Sequence, residues 1–452
     1  MTRLSSYMSE AGQRALSEEA LEKTKHHILD TFAAMVSGAE LAPGRFAINF
    51  ARAHSAEKTA TVAASDVVCG AVEAAFSNAM LAHSDETDDS HAPSQCHPGA
   101  SVVPAALATG EQFDIDGSRF LRAVALGYDV GTRFTMTVGV SESQTSTNMS
   151  THALAGTFGS AASAGCAAGL NQQQMRWLID YASQQASGIK TWRRDTDHIE
   201  KAFLFAGMPA RNGVTAALVV QAGATGVDDA LSGPDNFLAD YAPQADLAKL
   251  SSSLIDKLGE RYEITRTNIK KWTVGSPIQA PLDALEIILK RRAFEPDQVK
   301  TVTVRVGTGE AATVNNREMP DICMQHMIAV MLIDKTASFK AAHDKARMQD
   351  PAILKQRAKV QLIPDAELES HLPAREAVVE VMLTDGTRLT ETVKAVRGTA
   401  ENPMPREEVV AKARDLMTPV LGAERCGKLI QTTLNLEMLK SIRELRPLLQ
   451  RT

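Results

Sequence analysis

Apolar residues in the first half of the chain recur at helical spacing. Ser17, Glu18 and Glu19 form an N-cap with acidic residues in the first turn, and Leu21, Thr24, Ile28, Phe32 and Met35 then follow on one face until Gly38. Alanine-rich helices are predicted from Val68 to His83, Ser101 to Gln112, Gly117 to Thr135, His152 to Ala168, Gln172 to Ser187 and Pro209 to Gly223. The small residues Ala153, Gly156, Gly159, Ala162, Gly165 and Ala168 would let helix axes approach closely. The run from Ser143 to Met175 carries no formal charge, but it is rich in Ser, Thr, Gly, Asn and Gln, so it reads as a packed internal helix.

The period changes near residue 265. A helix from Leu282 to Arg292 precedes the strictly alternating Val299 to Val306, a half-buried strand. Ala377 to Leu383 and Arg388 to Val393 flank Asp385-Gly386, the signature of a hairpin. Lys359 to Ile363 is a further strand, Asn316 to Phe339 a loop followed by a helix, and helical spacing returns from Arg406. The expected fold is mainly α: a large helical domain built from both chain ends, 1–265 and 397–452, with a smaller α+β lid domain inserted at 266–396.

Composition narrows the function more than the fold. The 452 residues carry a net charge of -6 and no basic block, which argues against nucleic acid and anionic membranes as partners. No signal-like N-terminus or strongly apolar span of about 20 residues is evident, so a cytoplasmic location is expected. Five scattered cysteines without a Cys-x-x-Cys pair suit a reducing compartment and oppose an iron–sulfur cluster.

The chemistry concentrates in Ala82-His83-Ser84-Asp85-Glu86-Thr87-Asp88-Asp89-Ser90-His91, followed by Cys96-His97-Pro98-Gly99. Four acidic and three imidazole side chains within fifteen residues admit three readings: a solvated acidic loop, a divalent metal site, or a metal-free acid/base cluster. The His-Pro-Gly step would turn His97 away from its neighbours. His152 opens a helix whose positive end favours a neutral imidazole, a base, against the alternative of a satisfied core histidine. Lys201 precedes an apolar run and Arg211 could fork a carboxylate, unless they are an ordinary surface lysine and a helix-capping arginine.

Taken in order, these residues resemble the MmgE/PrpD family: the His83 to His91 cluster running into His97-Pro98-Gly99, then Thr151-His152 with Gly156-Thr157 and Gly159, then Ala210-Arg211-Asn212-Gly213, then Lys270, Trp272 and Asp283-Ala284. The resemblance spans about residues 17 to 445. It implies a homodimeric, metal-independent and cofactor-free enzyme of small di- or tricarboxylates, a lyase or an epimerase, with its site between the domains. It also implies catalytic roles for Asp88, His97, His152 and Lys201, and substrate contacts from Asp89, Arg211, Lys270 and Gln279. A hydro-lyase is the leading expectation, an epimerase the second, and a non-catalytic dimeric binding protein the third. The chain departs from the family pattern in three places. Lys201 to Gly207 is one residue longer, Gln279 stands where a histidine is common, and no tyrosine follows Tyr262.

Overall fold

The computed structural model describes residues 1–138, 148–242 and 252–451. The chain is mainly helical and divides into two compact units. The first comprises Met1–Ser84, Asp88–Thr267 and Arg406–Thr452, and the second Asp85–Thr87 and Asn268–Pro405.

In the first unit the principal helices are α1 (Glu18–Gly38), α2 (Ala71–Ala82), α3 (Gly99–Phe113), α4 (Gly117–Val138), α5 (Thr151–Ala168), α6 (Gln172–Gln185) and α7 (Met208–Gln221). Ser17 caps α1 by accepting from the Ala20 N–H at 3.2 Å. Helix α2 starts at Ala71 rather than Val68, because Val68–Cys69 pairs as an antiparallel strand with Ala60–Thr61. Of the uncharged run, 143–147 lie outside the described residues. The rest holds α5, which packs on α3, α4 and α7 and is buried almost throughout.

Such burial on every side demands small residues. A Cβ on Gly131 of α4 would lie 2.2 Å from the Ala155 carbonyl of α5, so that crossing accepts no side chain there. Helix Arg406–Leu421 packs against α1, where Lys412 pairs with the buried Asp30 at 2.7 Å. The continuous helical run Ile199–Gln221 is long and apolar enough to cross a bilayer, contrary to the expectation that no such run exists. It is mostly buried within the molecule, as a core helix is.

The second unit centres on a four-stranded sheet of β1 (Val299–Gly307), β2 (Val360–Asp365), β3 (Ala377–Leu383) and β4 (Arg388–Val393), in the order β2-β1-β3-β4. Only the β1/β2 pair is parallel. Asp385-Gly386 turns the hairpin with Gly386 at φ 87°, a conformation that side chains other than glycine rarely adopt. Alternate residues of β3 are buried, and with Val302, Val304 and Val306 they form a core with helices Ser276–Arg291 and Met324–Asp334. The first of these helices begins six residues earlier than its apolar spacing predicts. Pro277 occupies its first turn, where a missing N–H costs nothing.

Candidate active site

Every ionisable side chain of the 83–91 segment is buried, which rules out a solvated acidic loop. Helix α2 ends as the His83 N–H reaches back to the Ala79 carbonyl at 3.1 Å, and Ser84 Oγ donates to the Met80 carbonyl at 2.8 Å. His83 then turns into the first unit, where its Nδ1–H donates to Asp88 Oδ2 at 2.9 Å. His97 Nδ1 lies 3.3 Å from the same oxygen. Burial drives the His83 pKa down to about 3, leaving a neutral donor. Burial alone would raise the Asp88 carboxyl, but the two imidazoles hold it well below the usual carboxylate range, so Asp88 is an anion.

Asp89 faces the opposite way. Its Oδ2 accepts from His27 Nδ1–H at 2.7 Å and from the Tyr128 hydroxyl at 2.5 Å, while Oδ1 accepts from the Gly99 N–H at 3.0 Å. The carboxylate assigned to substrate on sequence grounds is thus occupied by protein donors, and it anchors the turn that carries His97. A Cβ on Gly99 would come within 2.5 Å of the Tyr128 oxygen and 2.8 Å of both Asp89 oxygens, so only glycine fits that turn.

Around Asp88 the rings gather on Phe205. His152, in the first turn of α5, stacks on Phe205 with centroids 3.8 Å apart, and His83 stacks at 4.8 Å. His97 and His152 are stacked at 5.4 Å. Lys201 is buried, with Nζ 5.1 Å from the Phe205 centroid and 5.6 Å from that of Trp192, a pair of cation–π contacts. Phe205 itself lies in a π turn, Phe203–Gly207. A π turn takes in one extra residue without breaking the helix, as the longer Lys201 to Gly207 spacing expected from the sequence would require.

Asp88, His97, His152 and Lys201 therefore meet in one cluster. Three further members, His198, Trp192 and Phe205, were not legible as site residues. His198 is buried, holds φ 67° and brings its ring 5.2 Å from that of His83. A non-glycine residue in that conformation is uncommon, but the conformation depends on the tertiary setting and leaves no mark in the sequence. Arg211 stands apart, exposed, with its guanidinium on the Asn212 side-chain oxygen at 3.1 Å.

Lys270 and Gln279 belong to the second unit. Lys270 Nζ donates to the Glu86 carbonyl at 2.8 Å and lies 3.4 Å from the Glu86 carboxylate. Gln279 donates to the Trp272 and Val274 carbonyls, both at 2.8 Å, and accepts from the Trp272 N–H at 3.1 Å. Its amide is committed to backbone, which corrects the expectation that it contacts substrate. Trp272 Nε1–H and the Arg397 N–H both donate to Asp283, so Asp283 ties the Trp272 indole to the backbone at Arg397.

Among the described residues, His83, Asp88 and His97 form a group whose ligand atoms could hold a metal ion. Asp88 is also placed to orient two imidazoles.

Comparison with known proteins gives a consistent result. Residues 2–249 match the MmgE/PrpD N-terminal domain and residues 272–437 the MmgE/PrpD C-terminal domain. The chain is 24% identical to a human cis-aconitate decarboxylase, covering 96% of this chain and 91% of that protein. It is 23% identical to a cis-aconitate decarboxylase of Aspergillus terreus, covering 96% and 92%. A 2-methylcitrate dehydratase-like protein, oryR of Aspergillus oryzae, is 23% identical over 58% of this chain and 56% of its own length.

Proposed function

The chain is a member of the MmgE/PrpD family, and from that premise we propose that it is a lyase of small polycarboxylates, a hydro-lyase that removes water from a hydroxy-di- or tricarboxylate. The observation that carries this reading is the pair of stacked imidazoles, His97 and His152, with anionic Asp88 on the first and cationic Lys201 nearby. Loss of water from such a substrate needs a base for the proton next to a carboxylate and an acid for the departing hydroxyl. His152 is the base, because the positive end of α5 disfavours a second positive charge there. His97 is the acid, with the Asp88 carboxylate 3.3 Å from its Nδ1. Lys201 holds the negative charge that grows on the substrate carboxylate as the proton leaves.

Decarboxylation is the second reading, favoured by the relatives named cis-aconitate decarboxylase. Against it stand the absence of any tyrosine after Tyr262 and a Gln279 amide that is already occupied. The test is a panel of small polycarboxylates in chelator-containing buffer, followed by ultraviolet absorbance, proton NMR and carbon dioxide release. Alkene formation from a hydroxy acid is expected, with no useful carbon dioxide release from cis-aconitate. Exchange of the α proton with heavy water and no alkene would make the protein an epimerase instead. Efficient carbon dioxide release would make it a decarboxylase.

A further inference from the structure

The segment between His83 and Asp88 changes unit twice. His83 and Asp88 pack in the first unit, whereas Asp85, Glu86 and Thr87 pack in the second. Two buried ion pairs hold these three residues there. Asp85 accepts from the Thr87 N–H at 2.9 Å and from its hydroxyl at 2.5 Å, and its Oδ2 lies 2.8 Å from His343 Nε2. The other ring nitrogen of His343 donates to the Phe339 carbonyl at 2.6 Å, which fixes the ring. Glu86 is held by Lys270, as described.

Asp85 and His343 have no place in the chemistry proposed for the cluster. Their leverage is mechanical. The Thr87 hydrogen bonds lock Asp85 to Thr87, and Asp88 is the next residue, one peptide or at most about 3.8 Å further along the chain. A shift of Asp85 would pass to the carboxylate that orients His83 and His97, and catalytic geometry misplaced by about 1 Å can cost two orders of magnitude in rate.

We propose that Asp85 and His343 are positioning residues, whose ion pair in the second unit fixes Asp88 and thereby sets the orientation of His83 and His97 in the first. The proposal rests on the acid/base reading above for its effect on rate, but not for its effect on geometry.

The experiment uses the full chain labelled with ¹⁵N-histidine, and reads the downfield proton of the His83 Nδ1–H bonded to Asp88 before any substrate is added. His343→Gln is expected to shift or broaden that resonance and to lower kcat about tenfold or more with KM within about twofold. His343→Lys, which restores a cation opposite Asp85, should move both readouts back toward the parent. Asp85→Asn keeps the Thr87 turn, removes only the charge and should reproduce the His343→Gln result, so the test survives if one variant fails to fold. An unmoved His83 resonance in either folded variant overturns the proposal, whether or not kcat falls. A moved resonance in a protein that turns over no carboxylate leaves the positioning contact standing and removes the hydro-lyase reading instead.

Discussion

In the hydro-lyase reading proposed above, His97 and His152 owe their roles to neighbours rather than to their own chemistry, one imidazole lying beside Asp88 and the other at the start of α5. His97→Ala or His152→Ala should therefore lower turnover by about 10² or more with the fold intact, since a positioned acid or base typically contributes 10² to 10⁴. Rates within a few-fold of the parent, in protein with an unchanged circular dichroism spectrum, would return both residues to packing roles. Gln279 leads to the opposite expectation. An imidazole cannot reproduce its three backbone bonds, and each buried group left without a partner costs about 1–3 kcal/mol, so Gln279→His should lower the melting temperature without changing the products. Product NMR alongside a melting curve separates the two effects. The cluster was legible in the sequence where residue type carries the signal, as with His97 and His152. Asp89 and Gln279 were misread because a side chain's hydrogen-bond partners are chosen by the fold: His27 and Tyr128 are distant in sequence from the carboxylate they occupy.

Elements with a strict period could be read closely. The strands β3 and β4 end where alternation ends, and α1 begins where its cap and acidic turn place it. Boundaries slipped at two helix starts: strand pairing shortened α2, and helix Ser276–Arg291 begins ahead of its apolar spacing at a proline that its first turn accommodates. The turn into α3 offers a direct check on element packing. Gly99→Ala should push the turn off Asp89 and Tyr128 and cost about 1–3 kcal/mol, the usual range for overpacking, with a loss of activity because His97 moves with it. A variant as stable and active as the parent would show that the turn yields. In the second unit, burial alone would lower the His343 pKa, but the Asp85 carboxylate, helped by the charge of Asp321 and the hydrogen bond to Phe339, raises it to about 9. A raised folded pKa means that the stability gained is complete below the free-imidazole value near 6.5 and is lost as pH rises through about 9. Hydrogen exchange across Phe339–His343 should accelerate over that interval in the parent and lose its pH step in His343→Gln.

At the scale of the whole molecule, the family and the lyase names of its relatives agree with the acid/base reading proposed for the cluster of imidazole, carboxylate and ammonium groups. Activity is accordingly expected to survive prolonged treatment with a strong chelator; loss of activity, restored by a divalent ion, would reassign His83, Asp88 and His97 as ligands. The chain order of the first unit has a consequence of a different kind. Helix α1 buries most of its length, and part of that surface is covered by Arg406–Leu421, with Asp30 awaiting Lys412. Proteins are made from the N-terminus at about 5–20 residues per second, so α1 leaves the ribosome tens of seconds before the helix that covers it. Until Arg406–Leu421 is made, the part of α1 that it covers stays open to solvent, so a chain truncated before Arg406 is expected to expose that surface and to bind a hydrophobic dye that the full chain does not.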